Sequence, residues 1–175
     1  MRIIGGKFDI REIQNKDKAG FEKVMRQVET FRSLFDAVPH GIDTFWKIYG
    51  ESEKNDVFTI TDKNDEFVGF IHFELEEGEE QGQLEISVLD DYDMSGFGKE
   101  LMPEFLNYVY KETGAVSFCV ELMDAADASK FIYEEMGYVF DENGVLEIYN
   151  DEVKEDHLNK VKELLKSMGI EAENI

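Results

Sequence analysis

The chain has 175 residues, with 18 basic and 40 acidic side chains and a formal net charge of −22. That charge argues against a nucleic-acid partner, whose phosphates require Lys and Arg, and against an anionic membrane surface. One cysteine excludes an intrachain disulfide framework and a cysteine-built zinc site, and three widely spaced histidines do not suggest a metal cluster. The sequence therefore predicts no metal site and neither of those two partners.

The length suits one domain with a single core. No stretch approaches the ~20 consecutive apolar residues of a membrane span. Residues 1–10 alternate apolar with polar side chains and lack the apolar centre of a signal peptide. We therefore expect a cytoplasmic protein, whose acidic surface serves solubility or attracts a cationic partner.

The apolar pattern predicts an α/β domain over residues 1–150, with a mixed, mostly antiparallel sheet flanked by helices. In chain order we predict a strand (2–12), a helix (21–35, with Asp17 as N-cap), a short helix (43–49), a hairpin (56–61 with 66–76), a strand ending at Val88, a helix after Gly98, a strand (115–122), a helix (126–136) and a hairpin (138–141 with 145–149). The strand–helix–strand over 84–122 predicts the one parallel crossover.

Residues 151–175 follow this domain. Their apolar side chains recur every three to four residues over 153–168, which predicts an extra C-terminal amphipathic helix. Its apolar stripe packs on its own domain or in a homodimer, so both a monomer and a homodimer stay open.

The stretch 88–101 joins the end of a strand to a helix through Gly96-x-Gly98. Backbone N–H groups converge at such a junction and can hold a phosphate. Leu101 stands where a Rossmann fingerprint needs its third glycine, and no Walker Gly-Lys-Ser/Thr is present. The glycines of a nucleophile elbow are absent around Ser95. The loop therefore predicts an anion site of another kind.

The element order and two motifs resemble the GNAT family of acyl-coenzyme A-dependent N-acetyltransferases. The family's pyrophosphate loop, Gln/Arg-x-x-Gly-x-Gly/Ala, matches at Gly96 and Gly98, at the family's distance from Val88. Its later Tyr-Glu-x-x-Gly-Phe/Tyr motif matches residues 133–138. The resemblance implies a GNAT fold and direct transfer of an acetyl group from acetyl-coenzyme A (acetyl-CoA) to a primary amine of a small molecule or peptide.

The resemblance also implies where the cofactor binds. Backbone of Val88 and Leu89 would align the pantetheine arm, and Leu89 would supply the oxyanion donor. The expected pyrophosphate loop comprises Met94, Ser95, Gly96, Phe97 and Gly98, with Lys99 and Lys130 as nearby cations. Lys130 equally suits an ion pair with Glu134, four residues on.

Two departures from the family pattern bear on cofactor affinity. Asp93 replaces the Gln/Arg of the loop, and Ala126 replaces an asparagine seven residues before the tyrosine. They keep open an alternative, a catalytically silent GNAT-fold module that binds a partner or metabolite.

Attack on a thioester needs a base, an oxyanion donor and an acid for the leaving thiolate. The resemblance implies Tyr133 as the acid, and packing against the sheet is the alternative. Glu85 on the central strand is the candidate base, directly or through water. Other glutamates on strands are alternatives: Glu74, Glu76 and Glu121.

The acceptor is a cation at neutral pH if it is an amine. The Glu-rich segment 74–85 and the charge of −22 favour its capture. Carboxylates also raise the pKa of a bound amine, so its attack requires a positioned base.

Overall fold

Residues 1–27, 40–52, 54, 56–121 and 127–150, with isolated positions elsewhere, are described by the computed structural model. They form a seven-stranded sheet in sequential order. The strands are β1 (Arg2–Ile4), β2 (Phe8–Glu12), β3 (Val57–Asp62), β4 (Phe67–Glu74), β5 (Gln81–Val88), β6 (Ser117–Glu121) and β7 (Val145–Tyr149). The helices are α1 (Lys18–Gln27), α2 (Gly41–Tyr49), α3 (Phe97–Glu100), α4 (Met102–Thr113) and α5 (Asp127–Glu135).

The pairing confirms the predicted mixed α/β fold. β5 pairs with β6 in parallel, and the other neighbouring strands are antiparallel. A crossover through α3 and α4 connects the parallel pair, as the sequence predicts. The predicted C-terminal helix lies outside the described residues apart from isolated positions.

The predicted single strand over 2–12 is wrong, because the segment folds back on itself. β1 and β2 form a tight hairpin in which the Gly5 amide donates to the Phe8 carbonyl at 3.0 Å. A Cβ at Gly5 would lie 2.8 Å from Leu101 Cδ2, so the turn needs a residue without a side chain.

Asp17 is not the N-cap of the first helix. The helical run begins with a 3₁₀ turn, Asn15–Asp17, whose N-cap is Gln14. The Asp17 carboxylate accepts the Gln14 amide at 2.8 Å and forms a two-point ion pair with the buried Arg11 at 2.8 and 2.9 Å. Asp17 therefore fixes the start of α1 to the sheet.

The last predicted hairpin is also only partly formed. Residues 138–141 are not a strand. The Asp141 carboxylate accepts the amides of Asn143 and Val145 at 2.9 and 2.8 Å, which closes the turn into β7. They add to a backbone bond from the Asp141 amide to the Val145 carbonyl at 2.9 Å, which joins the same two residues.

The sheet has a hydrophobic core on each face. The larger core packs inward side chains of β5, such as Leu84 and Ile86, with α3, α4 and α5. The smaller core packs Phe70 of β4 with Phe21 of α1 and Trp46 of α2. Because side chains alternate along a strand, Glu85 lies on the second face, beside α1 and α2.

β5 loses its parallel neighbour before it ends. Its pairing with β6 runs from Gln81 opposite Ser117 to Gln83 opposite Cys119. Its pairing with β4 continues to Val88. Among the described residues, no strand pairs with this edge of β5 over residues 84–88, next to the Gly-x-Gly loop, and we call it the open edge of β5. Within the described ranges, no helix has the length and apolar content to cross a bilayer.

Candidate active site

The Gly-x-Gly loop directs two backbone amides at one anion. The Gly96 amide donates to both carboxylate oxygens of Glu135, at 2.9 and 3.0 Å, and the Gly98 amide donates to one of them at 3.2 Å. Glu135 is the last residue of α5, 37 to 39 positions away in sequence. Its carboxylate oxygens stand in for the phosphate oxygens that such amides bind in nucleotide and coenzyme sites.

The two glycines are required for different reasons. Gly96 has a φ of 90°, a conformation that residues with a Cβ rarely adopt. At Gly98 a Cβ would lie 2.2 Å from the Ile132 carbonyl of α5. Gly98 is therefore required by the close packing of the loop on α5.

Asp93 turns its carboxylate toward the start of the loop. One oxygen accepts the Ser95 amide at 3.0 Å and also the Ser95 hydroxyl, and the other lies 3.3 Å from Lys7 Nζ. The bonds from Ser95, followed by the one from Lys7, lower the pKa of Asp93. The Asp93 carboxylate therefore shapes the start of the loop. The Gly96 and Gly98 amides donate to a different carboxylate, that of Glu135.

The remaining predicted loop residues divide by exposure. Met94 and Phe97 are buried at 2 % and 1 % exposure, so their side chains belong to the core. Lys99 is exposed and lines a cavity of about 450 Å³ that Gly98 and Glu135 also line. Lys130 Nζ lies 3.6 Å from Glu134 Oε1, which is the ion pair that the sequence offered as its alternative role.

The open edge of β5 ends in a side-chain bridge that the sequence did not indicate. Gln27 Nε2 donates to the Val88 carbonyl at 3.1 Å, and the Asp90 amide donates to Gln27 Oε1 at 3.3 Å. The Leu89 amide donates to the Val68 carbonyl of β4 at 2.8 Å. The expected oxyanion donor at Leu89 therefore faces the sheet. Because amides alternate along a strand, the Val88 amide points to the open edge.

Glu85 lies partly buried in the middle of β5, opposite His72 of β4. Burial raises the pKa of its carboxyl, and the nearby Ser87 and His72 act in the opposite direction. The Ser87 hydroxyl donates to Glu85 Oε1 at 2.9 Å. A carboxylate with a raised pKa is a stronger base than an exposed one, which suits proton abstraction near neutral pH.

Tyr133 is 1 % exposed, and its ring packs edge-on against Phe140 at 5.6 Å between centroids. Its buried hydroxyl has no hydrogen-bond partner among the described residues. Burial first, and then the charge of Glu85, raise the pKa of this phenol well above its usual range. The raised pKa keeps the phenol protonated, as a hydrogen-bond donor.

A second tyrosine extends this site on the α2 side. The Tyr49 and His72 rings meet edge-on at 5.0 Å between centroids. Burial, followed by the charges of Glu85, Glu74 and Asp56, raises the pKa of Tyr49. The sequence predicts a short helix over residues 43–49 but does not single out Tyr49. Within the described ranges, no three His, Cys, Asp or Glu side chains come together as metal ligands.

The comparisons with known proteins agree with this geometry. The acetyltransferase (GNAT) domain family matches residues 54–140. A GNAT-family acetyltransferase from Bacillus anthracis is similar in structure, with 18 % identity, a TM-score of 0.59 and coverage of 85 % of this chain and 95 % of that one. No curated protein sequence gives a significant match.

Two structures from Vibrio cholerae are similar as well. A putative ribosomal-protein-serine acetyltransferase has 14 % identity and a TM-score of 0.60, covering 86 % of this chain and 98 % of that one. A spermidine N-acetyltransferase, in complex with CoA and spermine, has 15 % identity and a TM-score of 0.56, covering 83 % and 96 %.

The mixed sheet with its open β5 edge, and the Gly-x-Gly loop beside it, define an acetyltransferase fold. The match over residues 54–140 gives the family. The chain contains a GNAT acetyltransferase domain.

Proposed function

We propose that the chain is an acetyl-CoA-dependent N-acetyltransferase that acts by direct attack of a primary amine, and that its acceptor is a cationic small molecule or peptide. The observation that carries this is the buried Tyr133 hydroxyl, which has no hydrogen-bond partner among the described residues and whose pKa is raised by burial and then by the charge of Glu85. A buried hydroxyl without a partner costs ~1–3 kcal/mol, so its retention supports a role toward a ligand.

The residues of the loop and strand fit acetyl-CoA. The amides of Gly96 and Gly98 already hold carboxylate oxygens, and so they suit its diphosphate. The outward-facing backbone of Val88 suits the amide-bearing pantetheine arm. When bound, acetyl-CoA supplies a thioester carbonyl as the electrophile. The proposed cofactor site also includes the residues around these amides, namely Leu89, Met94, Ser95, Phe97 and Lys99.

The chain's own groups then divide the proton transfers. Glu85 takes the proton of the acceptor ammonium, directly or through water, and leaves the neutral amine that attacks. The amide of Val88 stabilises the developing oxyanion. As the C–N bond forms and the C–S bond breaks, the second proton of the amine nitrogen passes to the departing thiolate, to which the Tyr133 hydroxyl donates a hydrogen bond. Because its pKa is raised well above the usual range, Tyr133 acts as a neutral donor rather than as a strong acid.

The charge around Tyr49 supports a cationic acceptor. Glu85, Glu74 and Asp56 all act on this ring, and they lie on the sheet beside α2. One structural neighbour is a spermidine N-acetyltransferase, so polyamines belong in the first acceptor screen. The cytoplasmic location and the monomer-or-homodimer state stay predictions.

A catalytically silent binding module is the second candidate. The observation that favours it is the Glu135 carboxylate on the Gly96 and Gly98 amides, which a diphosphate would have to displace. Calorimetry with acetyl-CoA and a thiol-release assay with an amine panel separate the two candidates. Binding with thiol release supports the enzyme, and the lack of binding at millimolar acetyl-CoA supports the module.

A further inference from the structure

We propose that Glu135 is an internal competitor for the diphosphate site and sets the affinity of this chain for coenzyme A. This inference rests on the proposed function, because it concerns the same loop. Three hydrogen bonds join the Glu135 carboxylate to the Gly96 and Gly98 amides, at 2.9, 3.0 and 3.2 Å. The diphosphate is assigned to the same two amides.

The two anions exclude each other. Each backbone amide has one hydrogen, and both hydrogens are directed at Glu135. A diphosphate that approached with Glu135 in place would also meet its negative charge at van der Waals distance. Coenzyme A binding therefore requires the Glu135 side chain to leave the amides.

The surroundings allow that movement by the side chain alone. The backbones of the loop and α5 are pressed together, since a Cβ on Gly98 would lie 2.2 Å from the Ile132 carbonyl and 3.0 Å from Glu135 Cβ. Glu135 also lines the cavity of about 450 Å³ that Lys99 lines. Rotation into this cavity brings the carboxylate toward a cation and frees the amides.

The competing anion lies at the end of a helix that also carries Tyr133, two positions earlier. Because Glu135 is the last residue of α5, its side chain can leave the amides without displacing the helix or Tyr133. Substitution of Glu135 removes the competitor and leaves the catalytic groups in place.

The test is calorimetric titration of the full-length protein and its Glu135→Gln and Glu135→Ala variants with coenzyme A. Glu134→Gln is the matched control, because it removes the same charge from the neighbouring residue, whose carboxylate contacts Lys130 rather than the loop. Glutamine keeps the size of the side chain, so Glu135→Gln still reports if the alanine variant folds poorly.

We expect both Glu135 variants to bind coenzyme A at least ~10-fold more tightly than the wild type, since a hydrogen-bonded charge no longer has to be displaced. Glu134→Gln should change the Kd less than ~2-fold, in line with an exposed pair. Pantetheine, which lacks the diphosphate, should bind all four proteins equally.

An unchanged or weaker affinity in both Glu135 variants, with a wild type that binds, overturns this inference alone and shows Glu135 to be a structural cap of the loop. An equal gain in affinity for pantetheine overturns it too, because the gain would then not arise at the diphosphate. If none of the four proteins binds coenzyme A at millimolar concentration, the proposed function falls together with it.

Discussion

Glu85 lies directly opposite His72 across the antiparallel β4–β5 pair, and the His72 ring meets Tyr49 edge-on. This relationship connects the strand that carries the candidate base to the helix α2 on the acceptor side. The charge of the same carboxylate acts on Tyr133 of α5, where it adds to burial in raising the pKa of the phenol. Glu85 therefore lies opposite His72 and acts electrostatically on tyrosines of two helices, α2 and α5.

Replacement of Tyr133 with phenylalanine should separate catalysis from stability. Turnover should fall ~10- to 100-fold, because the hydrogen bond to the departing thiolate is lost. The free energy of unfolding should rise by up to ~1–3 kcal/mol, because a buried hydroxyl without a partner is removed. Thiol-release kinetics and urea denaturation measure the two effects, and an unchanged turnover would refute the role of Tyr133.

Glu85→Gln should lower turnover and stabilise the protein at neutral pH. The folded-state pKa of Glu85 is raised above its unfolded value. Its contribution to stability is therefore present below the unfolded pKa of ~4.3 and is lost as the pH rises through the folded pKa. At pH 7 the charged form costs stability, and glutamine removes that cost.

Thermal unfolding of the wild type and Glu85→Gln across a pH series checks this sign. The variant's advantage in Tm should be smallest near the unfolded pKa of ~4.3 and should grow as the pH rises through the folded pKa of Glu85. Glu134→Gln is the control, because it removes an exposed carboxylate near Lys130. Its Tm should differ little from that of the wild type at any pH. A variant that is less stable than the wild type at neutral pH would contradict the raised pKa.

Gly98→Ala should damage the loop more than a glycine substitution elsewhere. The new Cβ would meet the Ile132 carbonyl at 2.2 Å, so the loop or α5 must shift and the two amides lose their common direction. Gly78→Ala is the control for adding a methyl group away from the loop, because a Cβ at Gly78 would meet no atom within 4 Å, so only the positive φ of Gly78 strains that variant. We expect at least ~10-fold weaker coenzyme A binding for Gly98→Ala, equivalent to the loss of about one charged hydrogen bond. Equal affinities of the two variants would show that the loop tolerates the shift.

Arg11→Met should destabilise the whole domain. Arg11 and Asp17 are buried at 6 % and 2 % exposure and form a two-point ion pair, and Thr59 donates to the same carboxylate at 2.9 Å. Removing one partner leaves a buried charge, which costs ~3–5 kcal/mol. Urea denaturation measures it, and a loss below ~1 kcal/mol, typical of an exposed pair, would contradict a role for this pair in anchoring α1.

The sequence predicted the parts of the fold that depend on the periodicity of apolar residues and on glycines at the ends of elements. The alternation of Leu84, Ile86 and Val88 located β5, and Gly96 and Gly98 located the loop. The β1–β2 hairpin was missed because its turn depends on Gly5 packing against Leu101, a contact almost a hundred residues away in sequence. Local patterns carry no information about such a contact.

The sequence predicted a candidate site residue only where a motif or a strand position identified it. Tyr133 belongs to a motif, and Glu85 followed from its place on the strand. Glu135 on the loop amides and Gln27 at the end of β5 depend on how α5 and α1 pack onto the loop. Their side chains are ordinary for exposed helix positions, so no sequence signal could have separated them from the chain's other acidic and amide residues.

The salt dependence of turnover tests the acceptor class. A cationic acceptor drawn by the acidic surface should show kcat/KM falling severalfold between low salt and ~0.5 M, where the Debye length shortens to a few ångströms. A neutral amine should show little change. Equal salt responses for a polyamine and a neutral amine would contradict capture by the carboxylates near Tyr49.

The central claim is acetyl transfer at the Glu85–Tyr133 site, and the most direct measurement is thiol release from acetyl-CoA with a panel of polyamines and basic peptides. The account predicts amine-dependent release by the wild type, reduced at least ~10-fold in both Tyr133→Phe and Glu85→Gln, with coenzyme A binding retained. Coenzyme A binding without release for any amine, or release that both variants leave unchanged, would contradict it.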